Sequence, residues 1–422
     1  MKRVILFLLL TITCFGQVNF DQYFETKTLR IDYIHAGDNQ NDEYYLEQLI
    51  EEPYWGGSQK NLIDIFDYGK YKFEVFDLAS GEMIYSRTYS TLFSEWQTTE
   101  EAKRIKKAFS ESVVMPYPKN EVKVKFYTRD KKHQLNKKFE INIDPKSYFI
   151  TKEKRKDYPK FEILISGASS EKVDIVMIPE GYTKDQMQLF KDDCKKFTGY
   201  LFNSSPYKEN KDKFNVWGVE APSPEEGTDI PADTIWVKTN VNSSFYTFDV
   251  ERYLMTEDYR SVRDLASNAP YDQIYILVNT PKYGGGAIYN FYSVAVNKNP
   301  REEYVFVHEF GHGFAFLADE YYDSHTAYED FYPLDIEPLE PNLTTLVDFE
   351  SKWKHLVSKD IPIPTPAEDQ YKDKVGVFEG GGYVAKGVYR PKVDCSMKSA
   401  SVDNYCPVCQ EAIIKMIKFY TE

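Results

Sequence analysis

The sequence lacks a long apolar segment. Its opening apolar run, Val4–Leu10, is far too short to cross a bilayer as a helix, which takes about 20 residues. No later segment is long and apolar enough either, so we expect no membrane span.

The first residues instead follow the layout of a secretory signal peptide. Lys2 and Arg3 precede the apolar run, and the small residues of Cys14-Phe-Gly16 follow it. We expect cleavage after Gly16, which removes residues 1–16 and makes the protein secreted, periplasmic or attached to the cell surface. The alternatives are a buried N-terminal strand and a lipid anchor at Cys14, although the preceding residues are a poor lipidation context.

Basic residues are also scarce relative to acidic ones. The chain has 52 Lys and Arg against 66 Asp and Glu, a formal net charge of -14, and no block or stripe of basic residues. Binding to a phosphate backbone requires such a stripe, so nucleic acid is excluded as an expected partner. The acidic balance fits a soluble exported protein.

Cysteine is rare, and three of the five lie close together. Cys14 would leave with the signal peptide and Cys194 stands alone, whereas Cys395, Cys406 and Cys409 cluster near the end. Export permits disulfides, so one disulfide among these three is favoured. A second zinc site is the alternative, but no fourth ligand is evident. A redox CxxC is disfavoured because no thioredoxin-like strand precedes it.

A chain of 422 residues is expected to form two domains. Residues 17–145 are predicted to be β-rich and sandwich-like, because 71–76 and 122–127 alternate apolar and polar residues as half-buried strands do. A short helix is predicted over 98–109. The polar stretch 146–165 is predicted to be a linker.

Residues 166–422 are predicted to form a second, α/β domain. Short apolar runs ended by turn residues alternate with stretches of helical spacing, which indicates a mixed, mostly parallel sheet covered by helices. The predicted strands are Val173–Ile178, Phe214–Val219, Gln273–Val278 and Ile288–Val296, and the predicted helices are Lys184–Tyr200 and Arg252–Ala266.

The segment Val305–Leu317 carries the motif HExxH on a helical, apolar-rich stretch. Residues four apart lie above one another on a helix, so His308 and His312 can direct imidazole nitrogens at one ion. Zinc prefers such ligands, and Glu309 beside them can act as general base on a water molecule. Two helix histidines whose polar atoms are satisfied by neighbouring residues are the alternative, but the chain has only six His, and two of them fall at this spacing around a Glu.

Two histidines are too few for a zinc site, so a third ligand must follow. On an unbroken helix Asp319 would lie about 10 Å beyond His312 along the axis and could not reach the same ion. We therefore expect the helix to end near 315–317 and the chain to turn back. Asp319 is then the first choice of ligand, followed by Glu320 and His325.

Four short motifs together resemble the bacterial IgA-protease-type zinc metallopeptidases, which are metzincin-like. The resemblance covers about residues 165–422, and the N-terminal part resembles the β-rich domain that often precedes this catalytic unit. The motifs are HExxH, Leu317-Ala-Asp-Glu-Tyr321, Cys395-Ser-Met397 and Cys406-Pro-Val-Cys409.

The resemblance implies that His308 and His312 bind one catalytic Zn2+, that Glu309 is the general base, and that Met397 is the methionine of a turn beneath the metal. An ordinary core methionine is the alternative for that residue. The general metzincin pattern has Gly three residues and a ligand six residues after the second His. This chain has Ala at both positions, and Asp319 comes seven residues after it.

Glycines and tyrosines near the motif are candidate substrate-binding residues. In metzincin-like enzymes an edge strand before the helix binds the substrate backbone, and Gly285 and Gly286 would allow close approach. A flexible hairpin loop is the alternative. Tyr383, Tyr389 and Tyr405 are equally placed candidates for a hydroxyl that stabilises an oxyanion, and the segments around the first two could form a specificity pocket.

The sequence thus predicts a secreted zinc endopeptidase that acts on extracellular protein or peptide. The family resemblance implies immunoglobulin A or other host glycoproteins as substrates, although loops rather than fold determine specificity. A protein- or glycan-binding protein on a metallopeptidase scaffold is the first alternative. A zinc hydrolase of non-peptide substrates is the second.

Overall fold

A computed structural model describes residues 17–322, 332–402 and 404–422. The predicted signal peptide and His325 lie outside these residues. Among the described residues, every helix is too short or too polar to cross a membrane.

The N-terminal unit, residues 17–151, is β-rich and has two antiparallel sheets. One sheet has the strand order β2-β1-β5 and the other β4-β3-β6-β7, and their inner faces share one core rich in Phe and Tyr. The elements are α1 (Phe20–Tyr23), β1 (Phe24–Gly37), β2 (Asp42–Glu52), β3 (Tyr71–Asp77), β4 (Met83–Tyr89), α2 (Leu92–Trp96), β5 (Lys107–Pro118), β6 (Val122–Arg129) and β7 (Leu135–Ile143).

The alternating segments behave as predicted, because β3 and β6 bury every second side chain in this core. The helix predicted over 98–109 is wrong. The helix is α2, which begins after Thr91, whose side chain forms a capping box with Ser94. Residues from Lys107 onward instead pair with β1, so long-range pairing overrides the local helical pattern.

The C-terminal unit, from residue 160 onward, is an α+β arrangement around a mixed sheet of order β12-β13-β11-β9-β10-β8. The four central strands are parallel, and both edge strands are antiparallel to their neighbours. The elements are β8 (Lys160–Leu164), β9 (Val173–Glu180), α3 (Met187–Asn203), β10 (Phe214–Val219), α4 (Tyr259–Ala266), β11 (Gln273–Val278), β12 (Gly285–Ile288), β13 (Tyr292–Val296), α5 (Glu302–Ala315), β14 (Phe378–Gly381), β15 (Val384–Arg390) and α6 (Pro407–Thr421).

The sheet separates two apolar layers. Helices α3, α5 and α6 pack on one face, and α4 packs on the other together with α2 of the N-terminal unit. The fully buried strands β9 and β11 explain why their sequences are continuous apolar runs rather than alternating ones.

Three predicted boundaries differ from the structure. The predicted linker contains β8, which pairs with β10 as an edge strand of the sheet. The single strand predicted over 288–296 is the end of β12 and all of β13, which turn at Asn290 with its positive φ of 52°. The second predicted helix begins only at Tyr259, because the Asp258 side chain caps it by accepting a hydrogen bond from the Ser261 N–H.

The interface between the two units also contains a buried cluster of charged and polar side chains. The Arg30 guanidinium of β1 contacts Asp264 of α4 at 2.8 Å, and it also contacts Asp32 and Glu52 of its own sheet. The Tyr271 hydroxyl donates to Glu52 at 2.9 Å. The interface therefore holds the N-terminal sheet in one orientation against the C-terminal unit.

Candidate metal centre and its cleft

The active-site helix α5 ends where the sequence predicts. Phe316 takes a left-handed conformation, with φ 54° and ψ 34°, and its N–H donates to the carbonyls of Gly311 and His312. The Leu317 N–H also donates to the Gly311 carbonyl at 3.2 Å. This closure satisfies the last turn and directs the following residues back along the helix.

The reversed chain brings Asp319 to the two histidines. Asp319 Oδ1 lies 3.1 Å from His308 Nε2 and 3.4 Å from His312 Nε2, and the two Nε2 atoms are 3.1 Å apart. Asp319 is buried and Glu320 points elsewhere. The structure therefore places the first-choice ligand, and not the second choice, beside the histidines.

The other nitrogen of each imidazole has a backbone partner. His308 Nδ1 lies 2.8 Å from the Ser396 carbonyl, and His312 Nδ1 lies 2.5 Å from the Leu317 carbonyl. Because a carbonyl only accepts, each Nδ1 carries a proton, so each imidazole in its neutral form presents a lone pair at Nε2.

Three electron-pair donors thus converge on one point. Asp319 Oδ1 finds no hydrogen-bond donor among the described residues. Two imidazole nitrogens and a carboxylate oxygen are a ligand set that zinc accepts, and they leave a fourth position open for water. These residues could therefore hold a catalytic zinc ion.

Electrostatics favour a positive charge at this point. Burial disfavours the imidazolium form of His312, but the Asp319 carboxylate outweighs burial and raises the pKa of His312 to about 9. Burial alone would raise the pKa of Asp319, but the two imidazoles hold it well below its usual range. A divalent cation supplies the positive charge that this carboxylate attracts.

Glu309 lies beside these three residues on the cleft side of α5. Burial raises its pKa, and the imidazoles of His308 and His312 oppose that rise. A carboxylate whose pKa is raised toward neutrality accepts and returns a proton more readily than an ordinary glutamate.

Helix α5 packs closely against neighbouring side chains at its two glycines, as the presence of glycine in a helix predicts. A Cβ on Gly311 would lie 3.0 Å from Met397 Sδ and 2.9 Å from the Tyr405 hydroxyl, and a Cβ on Gly313 would lie 2.4 Å from Ser293 Oγ. Met397 is fully buried beneath α5 at Gly311, between the two histidines in the sequence.

The candidate tyrosines are not equivalent in the structure. The Tyr383 hydroxyl donates to Asp319 Oδ2 and lines the cleft. Tyr405 is buried behind α5 and donates to the Val307 carbonyl, so it does not face substrate. Tyr389 lies on β15, where its backbone pairs with Thr344, away from the described lining of the cleft. Of Tyr383 and Tyr389, the two tyrosines predicted to bind substrate, only Tyr383 is in the described lining of the cleft.

The cleft in front of the ligands lies between the two units and has a volume of about 420 Å3, within the ~300–1,000 Å3 typical of ligand sites. One wall includes Gly285 and Gly286 of β12, as predicted. The opposite wall belongs to the N-terminal unit and includes Lys70, Arg129 and His133, which the sequence did not identify.

Two further residues at the site were missed. Tyr304 lies one helical turn before His308, and its hydroxyl is 3.3 Å from His308 Nδ1. The same four-residue spacing that identified the histidines could have identified it. Arg252 faces the cleft across the Tyr321 ring, but it comes from a distant loop and carries no local sequence signal.

Comparison with known families agrees with this arrangement. The family model described as IgA Peptidase M64 matches residues 161–374 and 367–417, and the model described as Peptidase M64 N-terminus matches residues 19–140. No curated protein matches the chain.

Proposed function

Because the chain belongs to the M64 family of IgA peptidases, we propose that it is a zinc-dependent endopeptidase whose metal is held by His308, His312 and Asp319. The observation that carries the proposal is the convergence of three potential ligand atoms, with distances of 3.1–3.4 Å between them. A divalent cation at this point would bind all three atoms at once, whereas a proton on one imidazole would join only two of them.

Zinc, when bound there, supplies a Lewis acid that acidifies water and polarises a peptide carbonyl. Glu309 takes a proton from the attacking water and delivers it to the leaving amine. The raised pKa of Glu309 suits both steps, because the same carboxyl must bind the proton and release it. Tyr383 orients Asp319 by donating to its second oxygen.

We propose further that the centre is metzincin-like. The support is a methionine, Met397, packed beneath the helix that carries HExxH, and a helix that ends three residues after the second histidine. The third ligand comes one residue later than in the general pattern. The left-handed turn at Phe316 accommodates this spacing.

The substrate backbone is proposed to bind along the edge of β12. The backbone groups of Gly285 already bond outward, since its N–H donates to the Arg252 carbonyl and its carbonyl accepts from the Leu254 N–H, both at 3.2 Å. Two residues on, Ala287 directs its N–H and carbonyl to the same edge, where the cleft is open. An extended peptide can pair there by strand addition.

Extracellular protein is the proposed substrate class, with immunoglobulin A or other host glycoproteins as the members that the family resemblance implies. Export through the predicted signal peptide supports this proposal, because it would bring the enzyme to such substrates. A purely binding role explains neither the converging ligands nor the placement of Glu309 beside them.

The test is Glu309→Gln, which keeps the size of the side chain but removes its basicity. We expect cleavage of a broad peptide library to fall by about 10²–10⁴-fold with unchanged zinc content, because a general base contributes about that much. Glu303→Gln is the matched control, since Glu303 lies on the same helix but is exposed, and it should leave cleavage unchanged.

Metal dependence is tested separately. EDTA should abolish cleavage, and added Zn2+ should restore it in the wild type and the Glu303→Gln protein but not in the Glu309→Gln protein. Equal cleavage by the Glu309→Gln and wild-type proteins would refute the proposed role of this residue.

A further inference from the structure

A second cluster of metal-binding side chains lies behind the catalytic centre. It consists of Glu320, Cys395, Cys406 and Cys409, called here the cysteine cluster. One ligand atom from each of the four lies within 4.8 Å of the others. The four side chains come from three segments: the turn after α5, the segment before Met397, and the first turn of α6.

The distances within the cysteine cluster fit a tetrahedral ion. Zinc with Zn–S bonds of about 2.3 Å separates two sulfur ligands by about 3.8 Å, and a sulfur from a carboxylate oxygen by about 3.5 Å. The Cys406 and Cys409 sulfurs are 3.6 Å apart, and those of Cys395 and Cys409 are 3.9 Å apart. The Cys409 sulfur is 3.3 Å from Glu320 Oε1.

These distances do not fit a disulfide, in which the sulfurs are about 2.05 Å apart. All four cysteines of the described residues are free. A disulfide would also join only two of the three clustered sulfurs and would leave a thiol and the Glu320 carboxylate facing each other. The structure thus reverses the preference that the sequence alone suggests, because it supplies the fourth ligand.

The polar atoms of the cysteine cluster have few partners of their own. Glu320 is fully buried, and its Oε2 has no hydrogen-bond partner within residues 17–322, 332–402 and 404–422. Its Oε1 accepts only one conventional donor there, Asn342 Nδ2, at 3.1 Å. The Cys406 N–H donates to Cys395 Sγ at 3.2 Å, a contact that favours a thiolate.

We propose that Glu320, Cys395, Cys406 and Cys409 bind a second zinc ion, separate from the catalytic one. Four protein ligands close the coordination sphere and leave no position for water, so the role is structural. Three thiolates favour zinc over magnesium or calcium. Binding releases the three thiol protons to solvent.

The second zinc positions the catalytic centre through short backbone links. The Glu320 N–H donates to the Met397 carbonyl at 2.8 Å, and Glu320 directly follows Asp319. The Ser396 carbonyl, next to Cys395, accepts from His308 Nδ1. Loss of the second zinc therefore loosens both the turn that presents Asp319 and the carbonyl that orients His308.

The first experiment counts zinc in the purified full protein by mass spectrometry of the element. We expect about two zinc ions per chain in the wild type and about one in Cys409→Ser. The double variant His308→Ala/His312→Ala should also keep about one, because it alters only the catalytic centre. Cys194→Ala is the control: it removes a buried cysteine outside the cluster and should keep two.

The second experiment replaces zinc with Co2+ in the His308→Ala/His312→Ala variant, where only the cysteine cluster remains. A sulfur-to-cobalt charge-transfer band that disappears in the further Cys409→Ser variant is expected. This readout does not depend on peptidase activity. If Cys409→Ser fails to fold, the zinc content and cobalt spectrum of the double histidine variant still give the answer.

Several results would overturn the proposal: one zinc per wild-type chain, iron in place of the second zinc, or a disulfide between any two of the clustered cysteines in peptide mapping. Loss of all zinc from the double histidine variant would also overturn it. If instead that variant keeps one zinc while wild-type protein cleaves no peptide, the catalytic proposal fails and the second site stands.

Discussion

We expect Arg30→Met to destabilise the protein, because it removes a buried positive charge at the interface that faces three carboxylates. Arg30 is 1% exposed, and its nitrogens lie 2.8–3.2 Å from oxygens of Asp32, Glu52 and Asp264. Although burial disfavours its charge, these carboxylates raise the pKa of Arg30. Methionine keeps much of the apolar stem but leaves the carboxylates without their shared partner.

Removing one partner of a buried ion pair costs about 3–5 kcal/mol. Two of the carboxylates keep another donor, since Gln48 donates to Asp32 at 2.5 Å and Tyr271 donates to Glu52 at 2.9 Å. Asp264 is the most exposed of the three, with 10% of its side chain accessible, so water can reach it. We therefore expect Arg30→Met to lower the free energy of unfolding by an amount toward the lower end of that range.

The assay is urea unfolding of the wild type and the variant, with tryptophan fluorescence as the signal. Lys27→Met is the matched control on the same strand, because Lys27 pairs with Glu51 at 2.9 Å but is 43% exposed. An exposed pair contributes about 0–1 kcal/mol, so the control should unfold close to wild type. A raised KM of Arg30→Met for peptide is also expected, since the cleft lies between the units.

The pH dependence gives a second check. Burial raises the pKa of Glu52, and Arg30 opposes that rise, so the pKa of Glu52 must rise further in Arg30→Met. A folded state that binds more protons than the unfolded state gains stability as pH falls. The difference in free energy of unfolding between wild type and Arg30→Met should thus become smaller as the pH falls from 7 toward 4.5. The account of the interface is refuted if Arg30→Met loses no more free energy of unfolding than Lys27→Met does. It is also refuted if the loss for Arg30→Met does not change with pH.

Two further predictions concern the catalytic helix and its ligand. Gly313→Ala should destabilise the protein by more than about 1 kcal/mol and weaken zinc binding, because the added Cβ would lie 2.4 Å from Ser293 Oγ. Gly199→Ala in α3 is the control: its Cβ meets no described atom within 4 Å, so it should stabilise by about 0.5–1 kcal/mol in the same unfolding assay. Tyr383→Phe removes the hydroxyl that donates to Asp319 and should weaken zinc affinity by about 10–100-fold in a chelator competition titration. Unchanged affinity would show that Asp319 needs no such support.

The grouping of His308, His312 and Asp319 could be predicted from the sequence better than its surroundings. The spacing of His308 and His312 is a property of one helix, and the position of Asp319 followed from the length of that helix. The cysteine cluster could not be completed in the same way. Glu320 and Cys409 are 89 positions apart, and only the turn after α5 and the packing of α6 bring them together.

The missed boundaries have a common cause. The β12–β13 hairpin lies within one apolar run, and a turn at Asn290 leaves no proline or glycine to mark it. The start of β5 has local helical spacing but finds its partners in β1. The N-terminal wall of the cleft depends on how two units dock, which no periodicity in either unit reveals.

Two groups that hydrogen-bond to helix α5 belong to residues that come much later in the sequence. His308 takes its backbone partner from 88 positions later, and the hydroxyl that supports the Val307 carbonyl comes from 98 positions later. A chain made from its N-terminus therefore carries HExxH long before the supports of that motif exist. We therefore expect the proposed metal centre to form only after residues 396–405 have packed against α5, and a chain truncated before residue 396 to lack peptidase activity.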